Sequence, residues 1–304
     1  MNKELLPEEI KAIDRGPIYY KTDIGERTWK DTWQERSGRL HYASKLKIPH
    51  LPQLEPHDGV AAIIGASPSI VNFKEQIKAI KSNEFNIVIP LNGAHNWLLE
   101  QGIIPNIQVM FEIDIEKPEQ TLGGSPHKDV YYYICSHSPE SLFKAMESYH
   151  RVLWHCFDEP PEYQALIAKL FPGEFMVGGG HVTFFRSVNV AIILGFRKFE
   201  LFGCDGSYEG NMSHYEGYHS YSGETTMDII AGGNGMPYKR FHTNPSLSFM
   251  THEFLRFCEA NQSGLKIYVH GNGLMRYMHQ STYPEQYDPI DNPPVSGINR
   301  EDKD

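Results

Sequence analysis

The residues of this chain best suited to hold a charged ligand lie in short turns rich in glycine and hydroxyl groups. Gly65-Ala66-Ser67-Pro68-Ser69 follows an apolar run and opens a stretch with helical spacing. Glycine permits a tight turn, and two hydroxyls with the amides of a helix start face one point, which is how a phosphate or carboxylate is cradled. The plainer alternative is an ordinary capped turn, because Ser and Pro suit helix starts. No Gly-Lys-Ser/Thr follows, so this is not a Walker A loop. Asn92-Gly93 and Asp114 end the next two apolar runs. An Asn there reads a base or ribose edge, and an Asp binds ribose hydroxyls or a metal. Turn and cap chemistry is the competing explanation.

Gly178-Gly179-Gly180-His181-Val182-Thr183 precedes a nearly all-apolar helix. Three glycines allow a ligand close to the backbone, with Thr183 near the helix start; a flexible linker is the alternative. Phe199-Glu200-Leu201-Phe202-Gly203-Cys204-Asp205 reads as a strand ending in Gly-x-Asp. After it, residues 206–243 are expected to form a long lid or binding loop carrying Tyr208, His214, Tyr215, His219, Tyr221 and Asp228. Such residues supply protons, a general base or hydrogen bonds to phosphate. The two histidines with Asp205 match no specific metal spacing. His270-Gly271-Asn272-Gly273 either completes a ligand pocket through Asn272 or caps the last helix.

These turns need a scaffold that carries them to one place. Apolar runs of strand length fall at 60–64, 86–91, 107–113, 130–135, 152–156, 199–202 and 266–269. Helical spacing separates most of them: Ile70, Phe73, Ile77 and Ile80 share a face, as do Leu142, Ala145 and Met146. Residues 181–194 read as a buried helix closed by Gly195, and Gly102 closes 94–101 in the same way. Strands alternating with helices imply an α/β, Rossmann-like fold with a mostly parallel sheet and helices on both faces. A single main domain is expected over 59–284. Residues 1–58 are expected to be an aromatic, charged N-terminal extension with short helices, packed on the domain or on a partner. Residues 285–304, rich in proline and charge, are expected to be a disordered tail.

The chain has 304 residues, 40% hydrophobic and 22% charged, with a formal net charge of −10. No basic run suggests a nucleic-acid partner. The four cysteines, Cys135, Cys156, Cys204 and Cys258, form no C-x-x-C pair, so buried thiols are expected rather than a zinc ribbon or disulfide framework. No apolar run reaches the roughly eighteen residues of a membrane span, and residues 1–10 lack the apolar core of a signal peptide. A cytoplasmic protein is expected, and a homo-oligomer is left open.

In order and spacing these pieces resemble one superfamily: the archaeal 6-hydroxymethylpterin diphosphokinases, the bacterial motility accessory factors associated with flagellin glycosylation, and the Campylobacter-type sialyltransferases. The resemblance covers about residues 60–280. Ser187 to Asp205 looks like the family's small-residue helix, Leu-Gly-Phe/Tyr-Lys and strand ending in Gly-x-Asp. Gly65 to Ser69 is similar to its Gly-x-Gly-Pro-Ser loop, and Gly102-Ile103-Ile104-Pro105-Asn106 with Asp114 to its Gly-Ile-x-Pro-Asp…Asp segment. Ala66 stands where the sialyltransferases carry an Asn that contacts the nucleotide, and Ser67 replaces the second Gly.

The resemblance implies a nucleotide pocket made from Ser67, Ser69, Asn92, Thr183 and Asp205, with Asn272 nearby; the turn chemistry above adds Gly65, Asp114, Gly179 and Gly180 to the expected nucleotide-binding residues. It also implies that Tyr208 and Tyr215, offset by one or two residues from the family's tyrosines, stabilise the departing phosphate. His219, with His214 second, would deprotonate the acceptor. Two chemistries follow from it. One moves a sialic-acid-like sugar from a CMP donor to a small-molecule or glycan hydroxyl, with no obligatory metal. The other moves pyrophosphate from ATP to a pterin alcohol, with Asp114 and Asp205 holding magnesium. A third outcome is a nucleotide-binding module that has lost catalysis.

Overall fold

The alternation of apolar and helical stretches is realised as strand–helix repeats in a computed structural model that describes residues 33–111, 116–157, 161–179, 182–215, 225–233, 236–261 and 264–287. Helix α1 (Trp33–Ala43) precedes β1 (His57–Ile64), a 3-10 turn (Pro68–Asn72) and α2 (Lys74–Lys81). Then come β2 (Ile87–Pro90), α3 (Ala94–Glu100), β3 (Ile107–Met110), α4 (Glu119–Leu122), β4 (Tyr131–Cys135) and α5 (Glu140–Ala145). They are followed by β5 (His150–Cys156), α6 (Pro161–Leu170) and the short β6 (Met176–Val177). The chain continues through α7 (Thr183–Ile193), β7 (Phe196–Phe202), β8 (Met227–Gly233), β9 (Met236–Thr243), α8 (Pro245–Ala260), β10 (Lys266–Val269) and α9 (Leu274–Thr282).

Two parallel sheets, in the orders β10-β7-β1-β2 and β3-β4-β5-β6, meet edge to edge. Asn106 makes the joint. Its amide N–H donates to Val88 O at 2.9 Å, and its side-chain Oδ1 accepts from Val88 N–H at 2.9 Å, replacing a backbone carbonyl. Both faces are buried, as a parallel sheet requires. Ala61, Ile63 and Ile89 enter a large core with α7 and the second sheet, while Ala62, Ile64 and Val88 enter a smaller one with Ile77, Trp97 and Leu98. This is the α/β, mostly parallel, Rossmann-like architecture read from the sequence.

Three local expectations change. The long loop over 206–243 contains the antiparallel hairpin of β8 and β9, paired from Met227↔Thr243 inward. The hairpin was hidden because β9 is mostly exposed and polar, so it carries no period-2 apolar signal. The apolar residues the hairpin buries are Ala231 and Phe241, against Leu274 of α9, and Thr243 is buried at its end. Strand β6, with two residues, is too short for any periodicity to show. Strands β1, β5 and β7 begin three, two and three residues earlier than their apolar runs, because pairing extends past the apolar stretch. The helix read over 181–194 is α7, and Gly195 ends it with φ +91°. Residues 33–43 pack against α5 and α6 and send Leu40 and Ala43 into the large core.

Candidate functional site

Strands β1 to β6 are laid down outward from β1, and α7 then carries the chain back to β7 on the other side of β1. The chain direction therefore switches between β1 and β7. In open α/β sheets, ligands bind outside the carboxyl ends of the strands at such a switch point. Here the register pairs Ile64 with Phe202, so the turns after the two strands emerge side by side. A Cβ on Gly65 would lie 2.2 Å from Gly203 O, and one on Gly203 would lie 2.4 Å from Gly65 O. Only glycine at both positions allows this approach. It lets Gly65 N–H donate to Phe202 O at 2.7 Å and Ser67 N–H donate to Gly203 O at 3.0 Å.

Asp205 is clasped by the Ser67–Ser69 turn. The Ser69 hydroxyl donates to its Oδ1 at 2.6 Å and Ser69 N–H to its Oδ2 at 3.3 Å, while Asp205 N–H donates to Ser67 Oγ at 3.3 Å. The donors read as a phosphate cradle are thus partly engaged by a protein carboxylate. Burial raises the Asp205 pKa, the two Ser69 hydrogen bonds pull it back, and the charge of Glu209 adds to the rise. The turn after β10 packs on the same group. A Cβ on Gly271 would lie 2.8 Å from Asp205 Oδ1, and Met275 N–H donates to Asp205 O at 2.9 Å. Ser207, which sequence reasoning passed over, accepts from Leu274 N–H at 3.1 Å and ties the same turn to α9. Nothing in the sequence pattern marks Ser207, because its partner lies 67 residues away.

Asn92 follows β2, beside β1, and Leu91 N–H donates to Ile64 O at 2.8 Å. Asn92 has φ +47°, the one non-glycine residue among those described with a positive φ. The left-handed region disfavours any side chain, and such strain gathers at functional sites. Tyr215 bridges the two turns: its N–H donates to Ala66 O at 2.9 Å and its hydroxyl to Gly93 O at 3.4 Å. Its ring is buried in the smaller core. His214 Nδ1 lies 2.9 Å from Ser213 Oγ. Tyr208 lies against the hairpin: its N–H donates to His242 O at 2.8 Å, and its hydroxyl accepts from Asn244 Nδ2 at 3.2 Å. His242 in turn reaches Asp228, which also meets Arg240.

The structure thus gathers Gly65, Ser67, Ser69, Asn92, Asp205, Tyr215 and the turn containing Asn272. It does not join Gly179 to them. Gly179 follows β6, with β2 to β5 lying between β6 and β1 in the sheet order, and its own neighbours are Phe185 and Asn189 of α7. Thr183 is buried in the first turn of α7. Asp114, Gly180 and His219 lie outside the described residues. As a magnesium ligand Asp205 fits poorly among the described residues, since it is 6% exposed and both its oxygens accept from Ser69.

All four cysteines are buried and free. Cys135 and Cys156 end β4 and β5 and form a buried group with His137, whose Nδ1 lies 3.3 Å from Cys156 Sγ and whose Nε2 lies 2.7 Å from Phe111 O. Burial disfavours a charged His137, but the neighbouring Cys156 outweighs it and raises the pKa. The sequence signal for this group was two cysteines at successive strand ends, read only as structural thiols. A cavity of 720 Å³ opens at the opposite, amino-terminal edge of the strands, beside His57, Asp58, Phe85 and Phe196. None of the candidate residues lines it.

Residues 41–211 match the family model described as 6-hydroxymethylpterin diphosphokinase MptE-like. Among solved structures, the MAf glycosyltransferase from Magnetospirillum magneticum AMB-1 superposes with a TM-score of 0.57 at 20% identity, over 79% of this chain and 36% of that one. The chain therefore spans about a third of that protein's length, and the likeness is one of fold. Thiamine pyrophosphokinase from Bacillus subtilis aligns over 69% of this chain and 59% of its own, at 11% identity and a TM-score of 0.26. No curated protein matches the chain in sequence.

Proposed function

The chain belongs to the 6-hydroxymethylpterin diphosphokinase MptE-like family, and from that premise we propose that it is a transferase using a nucleotide-activated donor, specifically a glycosyltransferase moving a sialic-acid-like sugar from a CMP donor to a hydroxyl acceptor. The observation that carries this reading is the interlock of Ser67 and Ser69 with Asp205 at the switch point. Polar groups that converge at the carboxyl ends of the strands, at a switch point, are what a nucleotide needs. The rim is Gly65, Asn92, Tyr215 and the Asn272 turn, with Thr183 assigned to the same donor by family resemblance and Asp114 and Gly180 by the chemistry of their turns; Gly179, with four strands between it and β1, is left out of this donor site.

In this reading the acceptor oxygen attacks the anomeric carbon, its proton passes to His219, and the bond from that carbon to the CMP phosphate oxygen breaks. His214 is the second candidate for the base. Tyr208 and Tyr215 donate to the departing phosphate. The Tyr215 hydroxyl is held by a long 3.4 Å bond to a neutral carbonyl, which a charged phosphate oxygen outcompetes. The same reading places the protein in the cytoplasm, with the donor domain over 59–284 and no nucleic-acid partner. Among the described residues, no helix is long and apolar enough to cross a membrane.

The family description favours a second reading, pyrophosphate transfer from ATP. Calorimetry and thermal melting with CMP, a CMP-sugar, and ATP with and without magnesium separate the two. Binding of CMP and its sugar, independent of magnesium, is the expected result. Binding of ATP only with magnesium replaces the glycosyltransferase by the diphosphokinase. Binding of CMP-sugar without turnover of any hydroxyl acceptor leaves a nucleotide-binding module. Binding of none of them sinks the transferase reading.

A further inference from the structure

The outer edge of β5 is completed by two short segments in place of one strand. Strand β6 pairs with its end, His155↔Met176 and Cys156↔Val177. Residues 49–51 cover its middle: Leu51 N–H donates to Leu153 O at 2.8 Å, and Leu153 N–H donates to Pro49 O at 2.7 Å. Three side chains converge at the seam. His50 comes from the first segment, Glu174 from just ahead of the second, and His155 from β5 itself. One ligand atom from each lies within 4.8 Å of the other two. His50 Nδ1 already stands 3.0 Å from a Glu174 carboxylate oxygen.

His155 supplies the independent observation. It is 2% exposed, and neither ring nitrogen has a hydrogen-bond partner among the described residues. Buried polar atoms are nearly always partnered, because losing water without replacement is costly. The ring of Phe171, 4.2 Å away between centroids, offers no acceptor. His50 and Glu174, by contrast, are each about a third exposed, at 30% and 31%, and open the seam to solvent.

The geometry points to a zinc-class metal site formed by His50, His155 and Glu174, which staples residues 49–51 and the approach to β6 onto β5. Two imidazoles and one carboxylate are the donor set that borderline divalent ions prefer, with water filling the open position. Ligand atoms around a tetrahedral ion stand about 3.3 Å apart, so the group needs to close by at most roughly 1.5 Å. The site lies at the sheet edge, on the far side of the second sheet from the β1–β7 crevice, and stands whether or not the transferase reading does.

The test is titration of the full chain, stripped with a chelator, with Co²⁺ and Zn²⁺. One equivalent of Co²⁺ giving visible d–d bands, and a raised melting temperature with Zn²⁺, are expected. His50→Ala and Glu174→Gln change partly exposed positions and should keep the far-UV circular dichroism of the parent. Each should weaken binding by more than about a hundredfold. His155→Ala should do the same if it folds, and the two surface variants decide the matter if it does not. Absence of binding to the parent protein overturns the site, and so does undiminished binding by both surface variants. Thiolate-to-cobalt charge-transfer bands that vanish in Cys156→Ser also overturn it, by moving the ion to the Cys135–His137–Cys156 group.

Discussion

The Ser69 hydroxyl donates to Asp205 Oδ1 at 2.6 Å across 136 residues of chain, and this bond fixes the two turns that end β1 and β7. It is a short, charge-assisted contact in a nearly dry setting, where such bonds count for more than at the surface. The candidate site is rigid at this point because a carboxylate of the protein is already held there.

Ser69→Ala removes that donor while leaving Asp205 buried. A hydrogen bond to a charged group contributes about 1.5–3 kcal/mol, so urea unfolding should show a loss of that order. The melting-temperature rise produced by CMP-sugar should shrink as well, since the rim loosens. A variant with unchanged unfolding midpoint and unchanged ligand response would show that the clasp holds nothing in place.

Gly271→Ala should be worse than its one added carbon suggests. The residue has φ +97°, and its new Cβ would meet Asp205 Oδ1 at 2.8 Å and Ser69 Oγ at 3.0 Å. Overpacking of this kind costs about 1–3 kcal/mol. Gly173→Ala, with φ +86° and nothing within 4 Å, is the matched control and should lose only the part due to backbone strain.

Asn106→Ala tests the joint between the two sheets. It strips Val88 N–H of its acceptor and leaves a buried strand donor unsatisfied, at a cost of about 1–3 kcal/mol. Hydrogen exchange at Val88 should quicken more than at Ile63, which sits in the central ladder. Equal protection at both amides would mean that the Asn106 side chain does not hold the joint, which then rests on the remaining backbone bond to Val88 O and on packing.

The buried histidines set an acid limit on stability. Burial pushes His95, helped by the charge of His127, and His279 from the ordinary 6.5 down to about 4. Between those values the unfolded chain binds protons that the folded chain does not. Stability is therefore full above about pH 6.5 and falls as pH drops toward 4, by about 1.4 kcal/mol per pH unit for each ring. Urea midpoints measured at pH 7.5, 6 and 5 should decline in that order, and His95→Gln should flatten the slope. A midpoint that holds steady across this range contradicts the assignment.

Much of the scaffold was legible before any coordinates. The apolar runs around 60–64, 86–91 and 130–135 are short and continuous because a parallel sheet buries both faces, and that leaves a direct mark on the sequence. Glycines at 65, 102 and 195 were equally readable, since each serves a backbone shape that other residues resist. The β8–β9 hairpin escaped because its pairing is a backbone matter on a mostly exposed ribbon, with Phe241 as the main apolar contact.

By itself, then, the sequence determined the order of the buried parallel strands other than β6, the main helices between them and the turns that could hold a ligand, because burial and backbone conformation act locally along the chain. Tertiary structure alone decided the partners. It set Ser69 against Asp205, Tyr215 against Ala66 and Gly93, and brought His50, His155 and Glu174 to one seam. Such meetings depend on which strands become neighbours, and no residue's type or spacing records a neighbour a hundred positions away.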